Sequence, residues 1–339
     1  MAEREQTLYA PQETIAQPEA FNGSFRGKDI ISVEQFTRKD ELEHLFRLAD
    51  RMRRSVERHE TREDMRGQTA ALLFYQPSTR TFTSFFAAAQ RLGALTIPIP
   101  DMKPTSVAKG ESLEDTIRAI YQTTAADIIV LRHPEDDSSQ RAAACSKIPI
   151  INAGSGKAAH PTQAILDIYT IRQELGRVDN LNITMIGDLA NGRTVKSLAK
   201  LLVLAGKDIR FNFLSPASLR MPAEHLEILR SKGFEVSEGE LGELQNVVRE
   251  TDVLYVTRVQ KEWFTNEEAY RQAVRGYEVN RETLGSAKPK MIVMHPLPRV
   301  EEIDKKIDND PRIAYFRQMR NGLYTRMALL AAIQGGQRW

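Results

Sequence analysis

The chain has 339 residues, 41% of them apolar, enough length for two domains and enough apolar material for two cores. Its 47 basic and 45 acidic side chains leave a formal charge of +2, which argues against a nucleic-acid or other polyanion binder. The one cysteine, Cys145 in AAACSKIPI, rules out a disulfide framework and a clustered-thiol metal site, and it reads as a buried small residue rather than a nucleophile.

The first segment, MAEREQTLYAPQETIAQPEAFNGS, carries four Glu and no apolar core. It reads as a polar extension over residues 1–25, neither a secretory signal nor a transit peptide, with the fold beginning near Arg26. No apolar run reaches membrane-spanning length, so a soluble cytoplasmic protein with no membrane partner is expected. No repeat occurs at a solenoid period. In chain order, a helical pattern runs from Ser32 to Arg58. There follow strand TAALLFY, helix RTFTSFFAAAQRLG, strand LTIPIP, helix SLEDTIRAIYQTTA, strands ADIIVLR and IPIINAG, and helix TQAILDIYTIRQELG. A second series opens at NITMIGD. It continues through helix RTVKSLAKLLVLAG, strand DIRFNFLS, helix EHLEILRSKG, strands DVLYVTR and KMIVMHP, and a last helix, GLYTRMALLAAIQGG.

Strand–helix alternation of this kind predicts an α/β fold with two doubly wound parallel-sheet domains. Gly93, Gly176 and Gly206 stand where helix C-caps are expected. The division is placed at 26–161 and 162–318, with a C-terminal helix about 319–339 packing back on the first half.

The polar residues concentrate after the strands. ALLFY hands over to QPSTRT, DIIVL to RHPE, IPIIN to AGSGKAAHPTQ, NITMIGD to LANGRT, VLYVT to RVQKE and MIVM to HPLPR. In open α/β sheets, ligands bind outside the carboxyl ends of the strands. Arg80, Arg132, Arg193, Arg258 and Arg299 all fall in these clusters, and guanidinium forks match phosphate and carboxylate oxygens. The ligands are therefore expected to carry several negative charges. Some of these arginines could instead pair with neighbouring carboxylates, Arg299 with Glu301 or Glu302 above all.

In FYQPSTRTFTSFF the strand stops at Tyr75, Pro77 sets the turn and a helix starts near Ser78. Free backbone N–H groups at a helix start suit an anion, and Ser78, Thr79, Arg80 and Thr81 add hydroxyls and charge. The alternative for Ser78 is an ordinary N-cap. GDLANGRT, Gly187 to Thr194, matches P-loop spacing except that Arg193 stands where Lys is required, so no nucleotide site is read there. No dinucleotide fingerprint occurs. His133, His160 and His295 are too scattered for a metal centre, so neither a cofactor nor a metal is expected.

Taken together, PSTRT, HPTQ, GDLANGRTV, TRVQKE and HPLPR stand in the order found in aspartate carbamoyltransferase catalytic chains, and the resemblance runs from about Arg26 to the C-terminus. The TRVQKE and HPLP motifs resemble the aspartate branch; ornithine enzymes typically carry Cys where Pro296 stands. The resemblance implies an active site in the cleft between the two domains, where Ser78, Thr79, Arg80 and Thr81 hold the phosphate of carbamoyl phosphate, with Arg80 and Thr81 reaching its carbonyl region. It implies that Arg132, His160 and Gln163 complete that site, His160 polarising the carbonyl and Gln163 holding the amide. Arg193, Arg258 and Gln260 would bind the aspartate carboxylates, and the backbone at Pro296 and Leu297 would touch both reacting groups.

Ser106 and Lys109, in PTSVAKGES, resemble a mobile loop that enters a neighbouring subunit's site, where Lys109 would also reach aspartate, implying a homotrimer with shared active sites. Read alone, Lys109 is a solvated loop lysine. The resemblance leaves regulatory chains or a dihydroorotase open as partners.

Three residues, Phe82, Phe86 and Ser155, depart from the family pattern. Phe82 and Phe86 replace an Arg and a Glu at i,i+4 spacing, so an apolar pair is expected there in place of an ionic one. Ser155 stands where Asp is usual. The competing functions are a carbamoyltransferase for another amine and a catalytically silent homologue with a structural or regulatory role.

Overall fold

The computed structural model describes residues 24–259, 264, 266–274 and 277–334. The extension expected at 1–25 therefore lies almost wholly outside the described residues, as do Gln260 and the end of the last helix. Nine strands and eleven α-helices occur among the described residues. The first half runs α1 (Lys39–Glu57), β1 (Thr69–Phe74), α2 (Thr79–Arg91), β2 (Leu95–Ile99), α3 (Leu113–Thr124), β3 (Ile128–His133), α4 (Ser138–Cys145) and β4 (Ile150–Ser155). Helix α5 (Pro161–Leu175) follows. The second half runs β5 (Asn182–Ile186), α6 (Arg193–Ala205), β6 (Arg210–Leu214), α7 (Ala223–Ser231), β7 (Glu235–Gly239), α8 (Leu244–Val247), β8 (Val253–Val256), α9 (Glu267–Ala273), α10 (Arg281–Ser286) and β9 (Ile292–Met294). Helix α11 (Tyr315–Gln334) ends the described chain.

The strands form two parallel sheets, ordered β2-β1-β3-β4 and β7-β6-β5-β8-β9. Strands β1, β8 and β9 are buried along their whole length. Helices cover both faces of such strands, which is why they read as continuous apolar runs. Strand β7 was missed because EVSEG is a charged edge strand, exposed or half-buried at every position. It has no apolar run to betray it. Helices α4 and α8 to α10 are too short to carry a helical period.

The expected helix from Ser32 to Arg58 is broken. Ser32 caps a 3-10 turn, Val33–Gln35, and α1 starts only at Lys39. The Glu41 carboxylate accepts the backbone N–H groups of Thr37 and Arg38, both at 3.0 Å, and so fixes the second start. Gly93 and Gly176 have left-handed φ of 81° and 70°, as helix ends require. Gly206 does not: its φ is −131°, and a Cβ there would lie 2.7 Å from the carbonyl oxygen of Val178. Close approach, not handedness, demands glycine at that position.

Helix α5 is buried on every face from Pro161 to Ile171. It packs on β4, on α6 and on α11, and so joins the two sheets. Helix α11 lies against α1, α2 and α5. On α2, Phe82 stands edge-on to Phe74, with ring centroids 5.2 Å apart, and stacks over Phe86 at 6.3 Å. Both rings are half-buried against the larger core. Phe86→Glu alone sets a carboxylate against the Phe82 ring and is expected to cost about 1–3 kcal/mol. Adding Phe82→Arg supplies an i,i+4 partner, so denaturant melts are expected to place the double variant above the single one. Equal stability would reject the pairing.

Candidate active site

Each sheet reverses its strand order once. The reversal lies between β1 and β3 in the first sheet and between β5 and β8 in the second. A crevice opens at the carboxyl end of such a point. Here both crevices face one cavity of about 650 Å³. The first sheet contributes Ser78, Arg80 and Thr81 after β1, and Arg132 after Leu131 in β3. The second contributes Asp188 and Arg193 after β5, and Thr257 and Arg258 after β8. His295, Pro296 and Leu297, after β9, line it as well.

Three helix starts also point there. In α2 the first intrahelical bond runs from Phe82 N to Ser78 O at 3.1 Å, leaving the amides of Thr79, Arg80 and Thr81 without helical partners. Ser78 occupies the N-cap position, yet its hydroxyl makes no capping bond, so the N-cap alternative holds for place but not for bonding. His160 is the N-cap of α5, with Pro161 next, and Arg193 is the first residue of α6. The positive ends of three helix dipoles thus converge on one space.

Among the described residues, Arg132 bonds to the carbonyl of Ala153, at 3.3 Å, and its Nε has no partner. Arg193 donates to the carbonyl of Gly156 at 2.7 Å. Among the described residues, none of Arg80, Arg132 and Arg193 makes an ion pair. Burial pushes Arg132 down to about 9, with the charges of Arg193 and Arg80 adding to it. Burial likewise pushes Arg193 down to about 10 and lowers Arg80. Gly154, at φ 119°, lets both guanidinium groups pass: a Cβ there would meet Arg193 at 3.0 Å and Arg132 at 3.1 Å. Buried cations without counter-charges are costly, and an anion removes the cost.

Burial and the charges of Arg193, Arg132 and Arg326 hold His160 well below the ordinary histidine value, so its ring is neutral. Its Nδ1 lies 3.4 Å from the Thr162 hydroxyl; with Thr162 as donor, the ring proton sits on Nε2. His295 is neutral too, lowered by burial against the pull of Glu302. Its Nδ1 accepts the Leu297 N–H at 2.7 Å and its Nε2 lies 2.9 Å from Glu302 Oε1. Leu297 has φ 55°, a left-handed conformation that a branched residue adopts only when held.

Of the residues singled out in the sequence, Ser78, Arg80, Thr81, Arg132, His160, Gln163, Arg193, Arg258, Pro296 and Leu297 line the cavity. Thr79 is exposed and outside the lining, and so are Ser106 and Lys109, which lie on a short 3-10 turn. Arg299 is no anion ligand: it pairs with Asp308, bonds the Tyr315 hydroxyl and lies 5.0 Å over the Tyr315 ring. The expected neighbour Glu302 is taken by His295. Ser155 accepts from Asn152 Nδ2 at 3.0 Å, while Asp136 supplies a carboxylate to that loop by accepting the Lys157 N–H at 2.6 Å. Asp188, Thr194, His295 and Arg326 line the cavity but had no role assigned. The signal for Arg326 was a lone arginine in an otherwise apolar helical run. It is buried, with its guanidinium 5.1 Å over the Phe85 ring.

Residues 28–173 match the aspartate/ornithine carbamoyltransferase, carbamoyl-P binding domain, and residues 179–333 match the Asp/Orn binding domain of the same family. The chain is 48% identical over 319 residues to the multifunctional protein pyr1-3 of Dictyostelium discoideum, covering 93% of this chain but 14% of that protein. It is 44% identical over 311 residues to the aspartate carbamoyltransferase catalytic subunit of Thermococcus onnurineus, covering 92% of this chain and 98% of that one. The chain therefore spans about 14% of the length of its multifunctional relatives and nearly all of the archaeal subunit. A solved aspartate transcarbamoylase of Trypanosoma cruzi, in complex with carbamoyl phosphate and aspartate, superposes with a TM-score of 0.84 at 40% identity, covering 91% of this chain and 96% of that one. With both of its domains matched in order from residue 28 to residue 333, the chain belongs to the aspartate/ornithine carbamoyltransferase family.

Proposed function

We propose that the protein transfers the carbamoyl group of carbamoyl phosphate to the amino nitrogen of L-aspartate, giving N-carbamoyl-L-aspartate and phosphate, an early step of de novo pyrimidine biosynthesis in the cytoplasm. The observation that carries this reading is the set of partly buried guanidinium groups that make no ion pair among the described residues, Arg80, Arg132 and Arg193, where two strand-order reversals meet. In this reading Ser78, Thr79, Arg80, Thr81 and Arg132 bind the phosphate. His160 donates from Nε2 to the carbonyl oxygen, and Gln163 accepts from the carbamoyl amide. Arg193, Arg258 and Gln260 take the two aspartate carboxylates, and the Pro296–Leu297 backbone touches the reacting groups. The amine attacks the carbamoyl carbon, a tetrahedral oxyanion forms, and the C–O bond to phosphate breaks. Positioning and fixed donors carry the rate, and no side-chain nucleophile is called on.

The direct assay is phosphate release from carbamoyl phosphate with aspartate, and its absence would favour a silent homologue. Arg258→Ala is expected to cost about 2–5 kcal/mol in kcat/KM for aspartate, while calorimetric binding of carbamoyl phosphate changes little. Unchanged aspartate kinetics in a folded variant would reject the assignment.

The sign of the His160 shift gives a second check. A base whose folded value is depressed stays neutral as pH falls. NMR signals of the His160 ring are therefore expected to remain those of the neutral form as pH is lowered through the ordinary histidine range. A titration near the ordinary value would remove His160 as a neutral donor.

The reading extends to a homotrimer with shared sites. In support, Ser106 and Lys109 are exposed and absent from the lining of their own chain's cavity. A closed heterologous ring lets each subunit both give and receive a loop. Lys109→Ala and Arg80→Ala chains, each nearly inactive alone, are expected to regain activity when dissociated, mixed and reassembled. Mixtures proven mixed by mass that stay inactive would place the whole site within one chain.

A further inference from the structure

Asp167 lies one turn beyond Gln163 on α5, on the same helix face. It is fully buried, and donors from three elements meet on its carboxylate. Gln163 Nε2 donates to Oδ1 at 2.9 Å, Gln318 Nε2 from α11 donates to Oδ1 at 2.6 Å, and the Tyr255 hydroxyl from β8 donates to Oδ2 at 2.7 Å.

Burial raises Asp167 to about 7, against the pull of its three donors and the charge of Arg326; ionised, it only accepts, and an amide that gives its nitrogen to one side presents its oxygen to the other. Two consequences follow. Gln163 lines the cavity, and among the described residues no donor reaches its Oε1, which is not sealed off from the cavity either. Gln318 turns its Oε1 to the backbone N–H of His295, at 3.0 Å, and His295 holds Leu297 in turn. Gln163 and the His295–Leu297 turn both line the cavity, and both are anchored on this one carboxylate.

We infer that Asp167 is the positioning residue of the site. It fixes the Gln163 amide with its carbonyl oxygen towards the cavity, ready for an N–H donor on the substrate, and steadies the His295–Leu297 turn through Gln318. The inference rests on the functional reading above, in which the group that Gln163 meets is a carbamoyl amide. With Asp167 removed, Gln163 is free to rotate and to present an NH2 group, which repels that donor.

Orientation can be separated from charge, including any pairing of Asp167 with the nearby Arg326. In Asp167→Asn the remaining oxygen keeps both glutamines, and the new NH2 finds an acceptor because the Tyr255 hydroxyl turns round. The Asn variant is therefore expected to keep kcat/KM for aspartate within about fivefold, while Asp167→Ala loses about 100-fold, the scale of an ångström-sized misplacement. In a Gln163→Ala background the Asp167→Ala loss is expected to shrink to about tenfold or less, because the amide it orients is gone. An undiminished loss in that background, or an Asn variant as impaired as the Ala variant at native melting temperature, would overturn the inference.

If Asp167→Ala fails to fold, the pair Asp167→Asn and Tyr255→Phe takes its place. Together they leave the new NH2 without an acceptor and free to flip towards the glutamines, so the double variant is expected to lose far more than the product of the single losses. Simple multiplication of the two losses would overturn the proposal. If the wild-type chain does not turn over carbamoyl phosphate, the functional reading fails by itself. The orientation claim is then decided by a crystal structure of the Asp167→Asn, Tyr255→Phe chain: a displaced Gln163 side chain supports it and an unmoved one overturns it.

Discussion

The site depends on positive charge that the protein holds without neutralising it. Arg80, Arg132 and Arg193 are packed into the meeting point of two sheets, where water screens them poorly and no described carboxylate forms an ion pair with them; only the more distant Asp136 acts on Arg193. Other arginines in the chain are answered. Arg299 has Asp308, Arg141 has Glu114 at 2.7 Å, and Arg317 has Glu174 at 2.7 Å. The cleft arginines are thus treated differently from these three. The surrounding fold pays for that difference with buried apolar sheets on both sides, and three helix starts add to the same positive potential rather than relieving it.

The neutrality of His160 belongs to the same electrostatic balance. A protonated imidazole among these guanidinium groups would add a fourth like charge in a buried space, so the ring gives up its proton first. With Thr162 donating to Nδ1, it keeps a hydrogen-bond donor at Nε2 without competing for an anion as a charge would. His295 is neutral for a different reason, since burial outweighs the pull of Glu302. Its work is geometric, holding Leu297 in a backbone conformation that brings the chain up to the cavity.

Most of the sheet was legible in the sequence because parallel strands covered on both faces must be apolar at nearly every position, as in Thr69–Phe74 and Val253–Val256. Strand β7 was not, since an edge strand with Glu235 and Glu238 has neither run nor alternation. Arg80, Arg132, Arg193 and Arg258 could be picked out because each lies at or beyond the carboxyl end of a strand. Arg299 follows one as well and was misleading, because Asp308 and Tyr315 reach it from further along the chain. The framework of Asp167, Gln318 and Tyr255 could not be seen at all. Each is an ordinary residue in its own element, and only the packing of α5, β8 and α11 brings them together.

The position of α11 has a consequence for how the molecule comes into being. This helix is synthesised after both sheets, yet it covers α1, α2 and α5. A ribosome that has released the first sheet has therefore released an incomplete core, with the apolar faces of three helices still open. The first half cannot finish as an independent N-terminal unit. It waits, partly wet, until the second half has been made and the last helix returns across the whole length of the chain. Contacts of such long sequence separation are slow to form, and the open faces are exposed to association in the meantime. The N-terminal half of this chain, expressed alone, is for the same reason a poor choice of folding unit.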